Sequence, residues 1–142
     1  MSTWLVYALL SALAASLVAI FGKIGLQQLD ANSATAIRSV VMALFLVGVV
    51  AAQGKMNLVS DILADKKALG FIVLSGVAGA LSWLFYFMAI KYGNVSQVAP
   101  IDKLSVVFAV VMAVVLFGEK VSLVAGAGVA LITAGALMVA LG

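Results

Sequence analysis

Residues 104–118 run for fifteen positions without a charge, directly behind Pro100 and the adjacent pair Asp102 and Lys103. A water-soluble core helix has no need of so long an apolar run. A membrane-spanning helix does need one. Its rise of ~1.5 Å per residue must cross a hydrocarbon core of about 30 Å, which takes about 20 residues. Three other stretches pass that test: residues 4–22 (nineteen uncharged, with the Lys23 stem completing the length), 68–90 (twenty-three) and 121–142 (twenty-two). Residues 39–52 and 104–118 fall short, with fourteen and fifteen. Each reaches a bilayer's thickness only by extending backwards, over Arg38 in one case and over Asp102 and Lys103 in the other. The expected architecture is therefore an all-α integral membrane protein. Five transmembrane helices are expected over residues 4–25, 32–52, 68–90, 97–117 and 121–141, in a single domain over 1–142.

Composition agrees. Only 9% of residues are charged and 66% are hydrophobic, against roughly 25% charged in soluble domains. Too few charges remain to cover a water-facing surface, so the lipid bilayer is the expected surround. The absence of cysteine and histidine removes disulfides, thiol chemistry, the usual zinc sites and histidine catalysis. No nucleophile–base pair or metal cluster can be assembled, so no enzyme activity and no cofactor are expected. The net charge of +3 is spread along the chain and reads as membrane-flank charge, with no nucleic-acid patch. No Lys or Arg precedes the first apolar run, which exceeds the ~7–15 residues of a signal-peptide core. It reads as a retained span.

The links are short except for residues 53–67, where Leu58, Val59, Ile62 and Leu63 recur at helical spacing among Asp61, Asp65, Lys66 and Lys67. That pattern predicts a short interfacial amphipathic helix. Trp4, Tyr7, Tyr86 and Tyr92 fall near span ends, as interfacial anchors do. Trp83 lies deeper, as a core-packing or a cavity residue. Small residues that let helix backbones approach closely include Gly79, Gly126, Gly128 and Gly135. The last two, seven residues apart, share a face.

Alternating five spans places Lys23, Arg38, Lys91, Asp102 and Lys103 toward one side and Lys55, Lys66, Lys67 and Lys120 toward the other. The cationic count is four against four. Dropping the residues within spans gives four against one. The positive-inside rule thus sets at most a weak orientation. Arg38 and Asp102 begin spans two and four at similar depth with opposite sign, and a buried charge needs a partner, so they are expected to pair. Pro100-Ile101-Asp102 has a second reading, as an ordinary helix start with proline in the first turn and an acid at the positive end of the dipole.

These residues resemble a single EamA-type repeat of the drug/metabolite transporter superfamily. The resemblance covers essentially the whole chain. It rests on Arg38, on Ala89-Ile90-Lys91-Tyr92-Gly93-Asn94-Val95-Ser96, on Ala99-Pro100, on the 104–118 run, on Gly118-Glu119-Lys120, and on a glycine-rich last span. Typical members carry two such repeats in inverted orientation. A chain with one implies a homodimer, antiparallel by the balanced charge count, which rebuilds a ten-helix inverted-repeat transporter; the stricter count of four against one favours a parallel dimer or a separate partner subunit instead. Small multidrug exporters, distant relatives, carry a glutamate in the middle of the first span. Here that region reads Leu13-Ala14-Ala15-Ser16-Leu17, with no acid.

The resemblance thus implies a prokaryotic inner-membrane, multi-pass transporter that moves small organic metabolites by alternating access. The solute is expected to be anionic or zwitterionic. Arg38, Asp102, Lys103, Lys23, Lys91 and Trp83 are the substrate or gating candidates. The rival expectation is an accessory helix bundle that supports a larger membrane complex without transport of its own.

Overall fold

The structure is a computed structural model that describes residues 2–142. Among them every regular element is a helix: α1 (Thr3–Gly25), α2 (Ala31–Ala52), α3 (Met56–Ala64), α4 (Lys66–Tyr92), α5 (Val95–Asp102), α6 (Ser105–Phe117) and α7 (Leu123–Leu141). Five stretches are long and apolar enough to cross a bilayer: α1, α2, α4, α7, and α5 with α6 over Val95–Phe117. At 19 to 27 residues they measure ~28–40 Å. Large apolar side chains stand outward along all of them, with Leu44 69% and Leu131 73% exposed. In water that surface would drive aggregation. In a bilayer, acyl chains or a neighbouring subunit cover it.

The chain forms two compact units. One is Ile24–Lys91; the other joins the residues up to Lys23 with Tyr92–Gly142. In the Ile24–Lys91 unit, local chemistry sets each boundary. Asp30 caps α2 by accepting a hydrogen bond from the Ser33 N–H at 2.8 Å, which satisfies one of the orphan donors of the first turn. Gly54 then takes a left-handed φ of 67°, a conformation glycine adopts at no steric cost, and the chain leaves α2. Helix α3 stands where the spacing of Leu58, Val59, Ile62 and Leu63 predicts a helix, and none of its residues is buried. Asp65 accepts from the Ala68 N–H at 3.1 Å and starts α4. The unit's buried side chains are Leu26, Ala31, Thr35, Phe87 and Ile90. All belong to the α1–α2 turn, the first turns of α2 or the last turns of α4.

In the other unit the fourth span is broken. Pro100 lies inside α5, so it is not the helix start that its position before an acid suggests. Helix α5 begins five residues earlier, at Val95. Proline has no N–H to give the Ser96 carbonyl. Two residues beyond Asp102 depart from the helical pattern, with the Lys103 N–H donating to the Pro100 carbonyl at 3.1 Å and Leu104 to Ile101 at 2.9 Å. These are three-residue steps of a tight 3₁₀ turn. Helix α6 follows and closes at Gly118, φ 65°, where the Glu119 N–H reaches back six residues to the Ala113 carbonyl at 3.3 Å. That is the Schellman closure expected of glycine at a helix end. Ser122 caps α7 through the Ala125 N–H at 3.1 Å, and α7 packs chiefly against α5.

The glycines expected at close helix contacts are open. A Cβ built on Gly79, Gly126, Gly128 or Gly135 meets nothing within 4 Å. Small residues permit close approach but do not by themselves bring a partner.

Candidate functional site

The site grows from the register of two antiparallel helices in the Ile24–Lys91 unit. Asp30 fixes where α2 starts, and Arg38 follows two turns later on the same face as the buried Ala31 and Thr35. The Thr35 hydroxyl turns back to the Ala31 carbonyl at 2.7 Å, so it makes no demand on its neighbours. On α4, Trp83, Phe87 and Ile90 recur at the spacing of one helix face. Lys91 sets how the two helices line up, for its Nζ donates to the Leu29 carbonyl at 2.6 Å and ties the end of α4 to the turn before α2. Phe87 lies ~6 Å and Trp83 ~12 Å back from that tie, and Arg38 ~13 Å on from it. A helical side chain leans toward its own N-terminus. The long arginine therefore reaches back over both rings.

Its guanidinium carbon sits 3.7 Å from the Phe87 ring centroid and 4.5 Å from that of Trp83. Those two rings are 5.5 Å apart and tilted by only 23°, so they form one shelf. Tyr86 meets both edge-on, at 5.8 Å from Trp83 and 5.5 Å from Phe87. Arginine over an aromatic face is stabilised by ~0.5–1 kcal/mol when exposed and about 2 kcal/mol or more when desolvated. The rings hold the charge but give its in-plane N–H groups no acceptor. Arg38 Nη1 is buried without a hydrogen-bond partner, an omission that costs ~1–3 kcal/mol. The two effects are of similar size. The shelf makes the charge tolerable in a span without satisfying its donors.

The other sequence candidates are placed differently. Asp102 and Lys103 lie at the break between α5 and α6 and pair with each other at 3.5 Å, with side chains 36% and 58% exposed. The expected Arg38–Asp102 pair would join residues of different units; within its own unit Arg38 has its rings and Asp102 has its lysine. Lys23 and Lys91 stand among the substrate or gating candidates. Lys23 Nζ donates to the Gly93 carbonyl at 3.0 Å and Lys91 to Leu29, each fastening a turn. Sequence reasoning missed Phe87 and read Tyr86 only as a span-end anchor. The signal was present in the spacing of Trp83, Tyr86 and Phe87 at i, i+3 and i+4, which groups three rings on one helix. It also missed Asp30, which caps α2. The Ser33 N–H and hydroxyl, with a smaller pull from Lys91, hold its carboxyl below the ordinary carboxylate range. A shallow depression along α4 between Lys66 and Leu74 has a single helix for its wall and can enclose no solute.

A model of the EamA-like transporter family matches residues 2–141. The chain belongs to the EamA-like transporter family. It is 44% identical over 138 residues to a Sinorhizobium protein described as an uncharacterized transporter in the cobO 3' region, across 97% of this chain and 96% of that protein. No solved structure matches the chain. Membership assigns this chain to a transporter family rather than to an enzyme family, and with five helices of spanning length it is an integral, multi-pass membrane protein.

Proposed function

We propose that this chain moves small organic metabolites across a prokaryotic inner membrane by alternating access, as a dimer of half-length repeats, and that the solute is anionic or zwitterionic. The observation that carries the reading is Arg38, a cation inside a span with a buried donor and no acceptor. Intramembrane charge is costly, ~2.5 kcal/mol or more per residue, and marks solute or ion pathways. A purely structural bundle has no use for it. The single-repeat length supports a dimer, and the relative, matched over 96% of its own length, is equally short. The open faces at Gly126, Gly128 and Gly135 leave room on α7 for a second copy. The even Lys/Arg count favours an antiparallel pair, whose two-fold axis lies in the membrane plane and places the solute site near midplane.

Proteoliposomes test the transport. Uptake or exchange of organic anions above the rate in empty vesicles supports the reading, and a well-folded preparation that moves none of a broad metabolite panel leaves the accessory-bundle rival. Single cysteines at Ser2 and Gly142, labelled from outside intact cells, test the arrangement. Comparable labelling at both ends supports the antiparallel dimer, and labelling confined to one end refutes it.

A further inference from the structure

We propose that Arg38 and its aromatic shelf bind the carboxylate of a monoanionic solute with an apolar body. The inference rests on the transporter reading and narrows its solute class. Four observations lead to it, all within the Ile24–Lys91 unit.

The first is donor geometry. The guanidinium rests on the Phe87 and Trp83 rings, so its hydrogen-bond donors point along its own plane, where the rings offer nothing. Nη1 is buried and unpartnered. A flat, two-oxygen acceptor lying in that plane matches the fork of an arginine. As placed, Nη1 is closed to water, so a carboxylate oxygen reaches it only when the arginine slides on its rings, and the charge-assisted bond then gained replaces no bond to water.

The second is charge. The unit's acids are Asp30, Asp61 and Asp65. Asp30 is engaged with Ser33 and Asp65 with Ala68. Asp61 belongs to α3, which follows the far end of α2. None of the three is paired with the arginine, and one negative charge would neutralise it. A dianion such as phosphate would need a second cation. The nearest lysine along the two helices is Lys91, which is fastened to the Leu29 carbonyl. Lys55, Lys66 and Lys67 sit at the opposite end of α2 and α4. A zwitterion's ammonium would find no acid there, only ring faces, which hold a cation more weakly than a carboxylate does.

The third is the floor. Trp83 and Tyr86 are half-buried and in ring contact with each other and with the buried Phe87, and their open parts suit an apolar or aromatic body beside the carboxylate. The fourth is access. Arg38 and Trp83 are only partly buried, so part of the shelf is reachable.

The chain has two tryptophans, Trp4 and Trp83. Trp4 is 70% exposed near the start of α1. Full-length Trp4→Phe protein in lipid nanodiscs therefore reports on the shelf through Trp83 fluorescence alone. Benzoate is the probe, with its neutral isostere benzamide, zwitterionic phenylalanine and inorganic phosphate as comparisons. The expected result is saturable quenching by benzoate, at least tenfold weaker binding of the other three, and at least tenfold weaker benzoate binding in the Arg38→Gln form. Arg38→Lys, which keeps the charge but loses the fork, should fall between. If Arg38→Gln does not fold, the four-probe comparison on Trp4→Phe protein still decides. Equal binding of benzamide removes the carboxylate, equal binding of phenylalanine removes the preference for a monoanion over a zwitterion, and equal binding of phosphate removes the monoanion. Parallel proteoliposome uptake separates the two readings. Solute movement that is indifferent to Arg38, with no benzoate signal at Trp83, overturns this inference and leaves the transporter. Selective benzoate binding with no solute moved sustains the site and sinks the transporter.

Discussion

Two spans of this chain start with charge, and they handle it in opposite ways. Helix α2 carries Arg38 inside an unbroken helix, laid over Phe87 and Trp83. The fourth span carries Asp102 and Lys103 at a break, where they pair with each other and remain partly exposed. A guanidinium is planar and weakly hydrated, so a ring can shield it. A carboxylate is repelled by the negative face of a ring, and an ammonium is a strongly hydrated point charge. Those two are accommodated where Pro100 has opened the backbone. Lipid-buried backbone must otherwise be fully bonded, so an interrupted helix at membrane depth signals protected or water-lined surroundings. One region tolerates charge through side-chain shelter, the other through broken secondary structure.

The most damaging change should be on the shelf side. Phe87 is 3% exposed, and Phe87→Ala should cost ~3–5 kcal/mol, because it leaves a cavity and strips the arginine of its closest ring. Ile101→Ala, beside the break and 37% exposed, should cost well under half of that. Unfolding by SDS titration in mixed micelles measures both, and equal losses would erase the contrast between the two regions.

Pro100→Ala works on the other side. It gives the Ser96 carbonyl a donor and should stabilise a continuous span by up to ~3 kcal/mol, the scale of an interior proline. Slower hydrogen exchange at the Lys103 and Leu104 amides would show the break closing. Unchanged exchange would mean that the charges, rather than the proline, hold it open.

Lys91→Met sharpens the account of how the shelf is aligned. It removes a charge-assisted bond to the Leu29 carbonyl worth ~1.5–3 kcal/mol, less whatever water restores. Its more telling effect should be a blue or red shift of Trp83 emission in Trp4→Phe protein as α4 loses its register against α2. An unmoved spectrum would mean that packing alone sets the alignment.

The smallest expected effect is the acid response of the α2 start. The Asp30 carboxyl is held below the ordinary range chiefly by the Ser33 N–H, so folding favours its ionised form. The stability it contributes is present above the ordinary carboxylate range. It is lost as pH falls through about 4 and on below its depressed folded value. Hydrogen exchange at Ser33 and Ala34 should quicken on acidification, and Asp30→Ala should quicken it at neutral pH and flatten the response. A pH-independent rate in the native chain would contradict the cap.

The features legible in sequence are those that a few neighbouring residues settle. Uncharged runs set the number of spans, because hydrocarbon thickness dictates helix length whatever the packing. The helical spacing of Leu58, Val59, Ile62 and Leu63 gave α3. Lys23 and Lys91 were noticed as charges at span ends, but their carbonyl partners lie 70 and 62 residues away, beyond any local pattern. Pro100 was noticed as well. Whether it starts a helix or interrupts one depends on whether Val95 to Ala99 are helical, and proline leaves that choice open.

Sequence alone determined that this chain lives in a bilayer with five spans, and that Arg38, Asp102 and Lys103 carry charge into two of them. Membrane insertion depends on the summed hydrophobicity of contiguous residues, which a sequence displays directly. The tertiary structure alone decided which company the charges keep. Opposite signs at equal depth suggested that Arg38 would seek Asp102. Within the Ile24–Lys91 unit the tie from Lys91 to Leu29 brings the Trp83–Phe87 face of α4 alongside Arg38, and a guanidinium can be held by the face of a ring as well as by an acid. Charge sign and depth can be counted along a chain; the face that one helix turns toward another is fixed only when the helices pack.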